Sequence, residues 1–189
     1  MSSNPAVRSQ RRYDPDRKSR IVEAALTVIA DHGVAGTTSR RIAAAADVPL
    51  GSLTYHFDGL DDLLALAFDR HAGRMSPRYE AHFAEVTDLP GFVDAVTALI
   101  NGDAAGDMSD WVVAYELYLA ALRNPALRSV TEAWMQRSRS VLERFVDPVT
   151  ARGVDALIEG LVMHMMLAAV PPNRADTRSI VARFLGVNP

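Results

Sequence analysis

Cysteine is missing from this 189-residue chain. Its absence excludes a disulfide framework, a cysteine nucleophile and every thiolate metal site, and it is compatible with a reducing compartment. Lysine is almost missing too: Lys18 is the one lysine among 20 basic residues, which with the abundant alanine points to a GC-rich coding sequence rather than to a function. Long apolar runs are absent. The most apolar stretch, Gly160 to Val170, is about half the ~20 residues of a membrane span, and no apolar run follows the polar, basic N-terminus as a signal peptide requires. A soluble, cytoplasmic protein with no membrane partner is expected.

Catalytic signatures are equally scarce. The five histidines (His32, His56, His71, His82, His164) lie far apart, without His-x-x-x-His or His-Glu-x-x-His spacing, and neither a Gly-rich phosphate loop nor Gly-x-Ser-x-Gly occurs. Asp69, His71 and His82 have no metal-site spacing. Asp61-Asp62 reads as an acidic pair at a helix N-terminus, favoured there by the helix dipole, rather than as a catalytic dyad. No enzyme, cofactor or metal is expected.

What is present is apolar residue and an uneven charge. Hydrophobic residues make up 49% of the chain, enough for a sizeable core. Residues 1–57 carry eight Lys/Arg against five acids, and the remainder twelve against eighteen. A basic end on an acidic body is the footprint of a protein that turns one end to phosphate, although a solvated basic tail gives the same count.

Helical periodicity dominates and no convincing strand pattern occurs, so the chain reads as all-α with about nine helices. Residues 1–13 form a basic arm with Arg8, Arg11 and Arg12, suited either to a minor groove or to solvent. Asp14-Pro15 starts the first helix, whose apolar stripe holds Ile21, Val22, Ala25, Leu26, Val28 and Ile29, and Gly33 ends it. Short helices follow from Thr38 and from about 49 to 57, joined by a tight turn at Asp47-Val48. A longer helix begins near Leu60, with a kink or restart expected at Ser76-Pro77. Further helices are expected near 91–101, 109–123, 125–147, 151–170 and 174–186, between Pro- and Gly-marked breaks. Functionally this divides into the arm, a head at 14–59 and a body at 60–189.

The segment from Thr37 to Phe57 forms a unit. Ile42, Ala43, Val48, Leu53 and Phe57 can meet the first helix in a small core that holds the third helix outward. A helix held this way enters a major groove about 12 Å wide. Leu50, Gly51, Ser52, Thr54, Tyr55 and His56 then face the duplex, with Gly51 admitting the backbone closely. Thr38 caps the second helix near phosphate, and Arg40 and Arg41 add charge.

These residues carry a resemblance. Thr37-Thr38-x-x-x-Ile42-Ala43, then Val48-Pro49-Leu50-Gly51-Ser52-Leu53-Thr54-Tyr55-His56-Phe57, then Asp61-Asp62-Leu63-Leu64 resemble the signature of TetR/AcrR-type regulators over about residues 15–70. Four positions depart from it. Asp47 stands where glycine is usual, Pro49 for a serine cap, Thr54 for the first tyrosine of a pair, and Leu60 for a phosphate-touching lysine.

Beyond residue 70 the resemblance is architectural. It implies a helical body that dimerises through its last two helices and encloses a ligand cavity between the middle ones. That assigns the dimer interface to Gly160, Leu161, Met165, Ala168, Ile180 and Phe184. It assigns the cavity to Trp111, Tyr115, Tyr118, Met163, His164 and Met166, aromatics with a polar tip and adaptable methionines that serve equally as core. The implied protein is a homodimeric repressor on a pseudo-palindromic DNA operator, released by an unidentified small-molecule inducer. An activator, or a regulator working through a partner protein, remains open.

Overall fold

The computed structural model describes residues 14–102 and 108–188; the basic arm lies outside them. Among the described residues there are nine α-helices, one 3-10 turn and no strand, so the protein is all-α. No helix among them is long and apolar enough to cross a membrane.

Helix α1 (Arg17–Gly36) opens three residues after Asp14, whose carboxylate accepts from the Asp16 N–H at 3.1 Å and pairs with Arg20 at 3.0 Å. The predicted stripe from Ile21 to Ile29 is buried. Gly33, at φ 65° and ψ 170°, interrupts the helix where an end was expected, but one more turn forms after it. The Thr37 hydroxyl donates to the Gly33 carbonyl at 2.7 Å and closes that turn.

Helices α2 (Ser39–Ala45) and α3 (Gly51–His56) follow, and then α4 (Leu60–His82). The last runs unbroken through Pro77, against the expectation of a kink or restart. Proline leaves the carbonyl four residues back without its helical donor. That carbonyl belongs to Gly73, and both residues lie on the exposed side of α4, where water can serve it.

The remaining elements are α5 (Leu89–Ile100), α6 (Met108–Arg123), the 3-10 turn Pro125–Leu127, α7 (Arg128–Leu142), α8 (Pro148–Leu167) and α9 (Arg174–Phe184). Helix α8 starts three residues earlier than its periodicity suggests. Asp147 accepts from the Val149 and Thr150 N–H groups at 3.0 and 3.2 Å, and Pro148 occupies the first helical position.

Two apolar cores result. The first joins α1, α2 and α3 to the start of α4, to Val113, Leu117 and Ala121 of α6, and to Leu127. The second gathers Phe83 with α5, the end of α7, α8 and α9; there the Phe92 and Phe145 rings stack at 4.8 Å between centroids. The first core therefore continues across Leu60, the expected functional boundary. Polar contacts also tie head and body at this seam. Arg70 and Arg74 of α4 pair with Glu23 of α1 at 3.2 and 2.8 Å, and Glu116 of α6 accepts from the Val34 N–H at 2.6 Å.

Candidate nucleic-acid interface and ligand cavity

The head is built from its small core outward. Ile42, Ala43, Leu53 and Phe57 are buried and Val48 packs against them, all on α1. Burying a side chain of the size of Ile, Leu or Phe stabilises by about 1.5–3 kcal/mol, so these residues anchor a six-residue α3 that has little stability of its own. Between α2 and α3 the chain reverses at Asp47, the one non-glycine residue with positive φ among those described, at 51°. Aspartate reaches this left-handed turn more readily than most residues, so the glycine usual at this point is dispensable.

The face of α3 turned away from that core carries the expected residues. Tyr55 is 84% exposed and Leu50 45%; Gly51 and Thr54 are exposed, and Ser52 and His56 half-buried. A side chain added at Gly51 would meet nothing within 4 Å. Tyr55 and His56 meet edge to face at 4.9 Å, which orients both polar tips. Thr54 is partly occupied, its hydroxyl donating to the Gly51 carbonyl at 3.1 Å.

On α2, Thr38 caps the helix by accepting from the Arg41 N–H at 3.3 Å. The Arg41 guanidinium turns back to donate to the Gly36 carbonyl, while Arg40 is exposed beside it. The nine residues expected from sequence to face DNA are thus all exposed or half-buried, on or just before α2 and α3, with Arg41 and Thr38 also serving local structure. Lys18, not singled out from sequence, sits 5.5 Å from the centre of the Phe57 ring.

In the body, a cavity of about 50 Å³ opens between α4, α6, α7 and α8. That is room for a few waters, so a larger guest has to part the helices. Aromatic rings wall it: Tyr79 from α4, Trp111 from α6 and Trp134 from α7. Behind them Tyr118 stands 6.5 Å from Trp134 and Tyr115 stacks on Trp111 at 6.1 Å. Polar groups converge from α8. Asp155 accepts from Arg139 at 3.0 Å. Glu159 accepts from the Tyr118 hydroxyl at 2.7 Å, and its carbonyl from the Tyr115 hydroxyl at 2.8 Å. His71 and His82, considered above for metal, each direct a ring nitrogen to a carbonyl, of Asp110 and Ala95, at 3.1 and 2.7 Å.

Burial pushes the Glu159 carboxyl up to about 7, against the pull of the Tyr118 hydrogen bond, with Asp155 adding repulsion. Burial beside Glu159 raises the Tyr118 and Tyr115 phenols, and burial raises Asp155 despite Arg139. For a carboxyl raised on folding, the folded state holds the proton more tightly. Its favourable contribution is complete below the ordinary carboxylate range and is lost as pH rises through about 7. Glu159→Gln is therefore expected to flatten the fall in melting temperature between pH 5 and pH 8, measured by thermal melts of both proteins.

Of the ligand residues named from sequence, Trp111 lines this cavity, and Tyr115 and Tyr118 reach it through Glu159. Met166 packs into the second core. Met163 and His164 are exposed on the outer side of α8 and do not line the cavity. Glu159, Asp155, Tyr79 and Trp134 do line it and escaped the sequence reading. Of the interface residues, Gly160, Ile180 and Phe184 are exposed and Ala168 half-buried, while Leu161 and Met165 pack partly into the second core. Gly153 makes room for the Phe184 ring, whose tip lies where a Cβ would crowd it.

Comparison with known proteins agrees with this fold. Residues 21–67 match the family model described as bacterial regulatory proteins, tetR family, and residues 87–187 match the model of a tetracyclin repressor-like C-terminal domain. A candidate transcriptional regulator from Streptomyces coelicolor A3(2) shares 44% identity at a TM-score of 0.82, with 90% of this chain and 98% of that one covered. The multidrug binding protein EbrR, solved with imidazole, shares 36% identity at a TM-score of 0.75, covering 90% and 96%. The transcriptional regulator BetI of Brucella anthropi is 26% identical over 92% of this chain and 94% of its own length.

Proposed function

The chain belongs to the TetR family of bacterial transcriptional regulators, and from that premise we propose that it acts as a homodimeric repressor which a small molecule releases from its operator. DNA binding and regulation, rather than catalysis, follow from the family itself. The observation that carries the finer reading is the two-sided placement of α6. One side packs into the core that holds α3, and the other lines the cavity through Trp111 and Ala114. A guest too large for the present cavity shifts α6, α4 or both, and the head moves with them. Only a ligand that prefers the shifted state can do this. Crystal structures of EbrR with proflavin and with ethidium, at 35% and 36% identity, support a ligand-responsive body.

Dimerisation is supported by an apolar surface of α8 and α9. Met163, Leu167 and Val170 are 40%, 78% and 85% exposed, and Ile180 and Phe184 40% and 47%. Nothing stands within 4 Å of a side chain added at Gly160, so another helix can approach there. One α3 reads too few base pairs for an operator, whereas two related by a two-fold axis read half-sites about one helical turn apart. In this reading residues 14–59 are the DNA-binding head and 60–189 the body.

Fluorescence anisotropy against the DNA upstream of the gene, with a random duplex as control and a salt series, tests the reading. Specific binding by two subunits per site with a steep salt slope is expected. Leu167→Glu places a charge on the apolar surface without disturbing the core. It is expected to give a monomer by analytical ultracentrifugation and to weaken operator binding at least tenfold. A variant that stays dimeric moves the interface elsewhere. A compound that binds the body and leaves the operator complex intact counts against release.

A further inference from the structure

Two buried polar atoms at the cavity have no partner. Glu159 Oε1 is held by Tyr118, but Oε2 of the same carboxylate is buried without a hydrogen bond, and so is the hydroxyl of Tyr79, which also lines the cavity. Buried oxygens normally find a donor, and leaving one unmatched costs free energy. The cations around the cavity do not supply it. Arg139 of α7 is engaged by Asp155, and Arg78 of α4 lies 3.5 Å from Asp110 of α6. His82 of α4 is turned to the Ala95 carbonyl, while Arg137 of α7 and Glu80 of α4 are exposed at the cavity edge. What remains is an acceptor in a pocket walled by Tyr79, Trp111 and Trp134.

Building on the ligand-responsive reading above, we infer that this cavity selects a protonated amine on an aromatic body, with Glu159 Oε2 as the acceptor of its N–H and the Tyr79 hydroxyl as a second hydrogen-bonding partner. The aromatic walls favour a cation by their ring quadrupoles and cover the apolar part of the guest. A neutral guest of the same shape keeps the apolar contacts and gains no charge pairing, so the carboxylate discriminates between the two.

The inference carries a proton linkage. In the empty cavity Glu159 titrates near pH 7, because burial disfavours its charge. An ammonium needs the carboxylate ionised and holds it so, lowering its pKa in the complex. Affinity for the cation is therefore full above pH 7 and falls with the ionised fraction below it, about tenfold from pH 8 to pH 6. The other groups facing Glu159 are the Tyr79, Tyr115 and Tyr118 phenols, which burial raises and so keeps neutral across that window, and Asp155, which burial raises against the pull of its pairing with Arg139.

Calorimetric titration of the intact protein with 1-naphthylmethylammonium and its uncharged isostere 1-naphthylmethanol tests the inference. The ammonium is expected to bind at least tenfold tighter at pH 8, to lose about tenfold by pH 6, and to lose both properties in Glu159→Gln. The alcohol is expected to show no pH slope. The wild-type profile makes the test independent of how well the variant folds. Equal affinities at pH 8, no saturation by either probe, or discrimination surviving in Glu159→Gln would each overturn the inference. Operator release, followed separately, keeps the two readings apart. Selective ammonium binding that leaves DNA bound sinks release and upholds the inference. An alcohol that binds as tightly and frees the operator does the reverse.

Discussion

Gly51→Asp is expected to lower operator affinity by about 100-fold or more while leaving the fold and its melting temperature intact. Gly51 opens α3, it is exposed, and a side chain added there meets nothing within 4 Å. An aspartate in the first turn suits the helix dipole, so the free protein loses nothing and gains a little. On DNA the balance reverses. In the proposed docking of α3 the position faces the duplex at close approach, where a carboxylate would meet phosphate repulsion and take the place of a backbone contact. Losses of about 1–3 kcal/mol per displaced base contact, with the added repulsion, amount to roughly two decades or more. Gly51→Ala, smaller and uncharged, should cost less than tenfold. Anisotropy titrations at two salt concentrations separate the terms, since the repulsive part of the aspartate effect shrinks as salt rises. An aspartate variant that binds within threefold of the parent would place α3 outside the groove.

The head was legible because its logic is local. Capping threonine, turn and apolar spacing lie within about twenty consecutive residues, and α1 supplies a stripe whose members are all buried. Helix existence in the body was equally readable, but its details depended on context. Pro77 reads as a breaker, yet it falls on the exposed side of α4, where its cost is tolerated. Pro148 reads as part of a break, yet Asp147 before it caps α8 in the Asp-Pro start that was expected at Asp14, where α1 instead opens at Arg17 behind Asp16.

The cavity was the least legible part. A carboxylate in an amphipathic helix reads as solvent-facing, and whether another helix covers it depends on crossing geometry that periodicity does not contain. One signal was available. Asp155 and Glu159 are four residues apart, flanking the stripe of Val154, Ile158 and Val162, which are buried. Like charges at that spacing repel on an exposed helix, so their presence beside a core stripe hints at partners elsewhere. The methionines misdirected attention for the complementary reason. Met163 and His164 are apolar or amphipathic neighbours in sequence, but they point to the outer side of α8, the surface assigned above to a second copy.

The coupling of head to body is open to a sharper test at Gly33. Gly33→Ala is expected to destabilise the protein by about 3 kcal/mol, from two independent causes. The backbone there has φ 65° and ψ 170°, a region where a Cβ costs about 1–3 kcal/mol. The added methyl would also stand 2.9 Å from the Glu116 carboxylate, at the point where that group accepts the Val34 N–H at 2.6 Å. A charge-assisted hydrogen bond is worth about 1.5–3 kcal/mol, and pushing Glu116 aside weakens it. For a chain of this length a loss of that size lowers the melting temperature by roughly 6–12 °C. Glu116→Ala removes the clash and the hydrogen bond together but leaves the backbone unstrained. The double variant should therefore be less destabilised than the sum of the two single ones, because the contact can be lost only once. The same pair reads the coupling itself. If α6 moves the head through this contact, Glu116→Ala binds operator as a folded protein but needs more ligand for release. An unchanged release curve would leave the apolar packing of α6 and α4 on the head, with the Glu23 pairing to Arg70 and Arg74, as the route by which the cavity reaches the head.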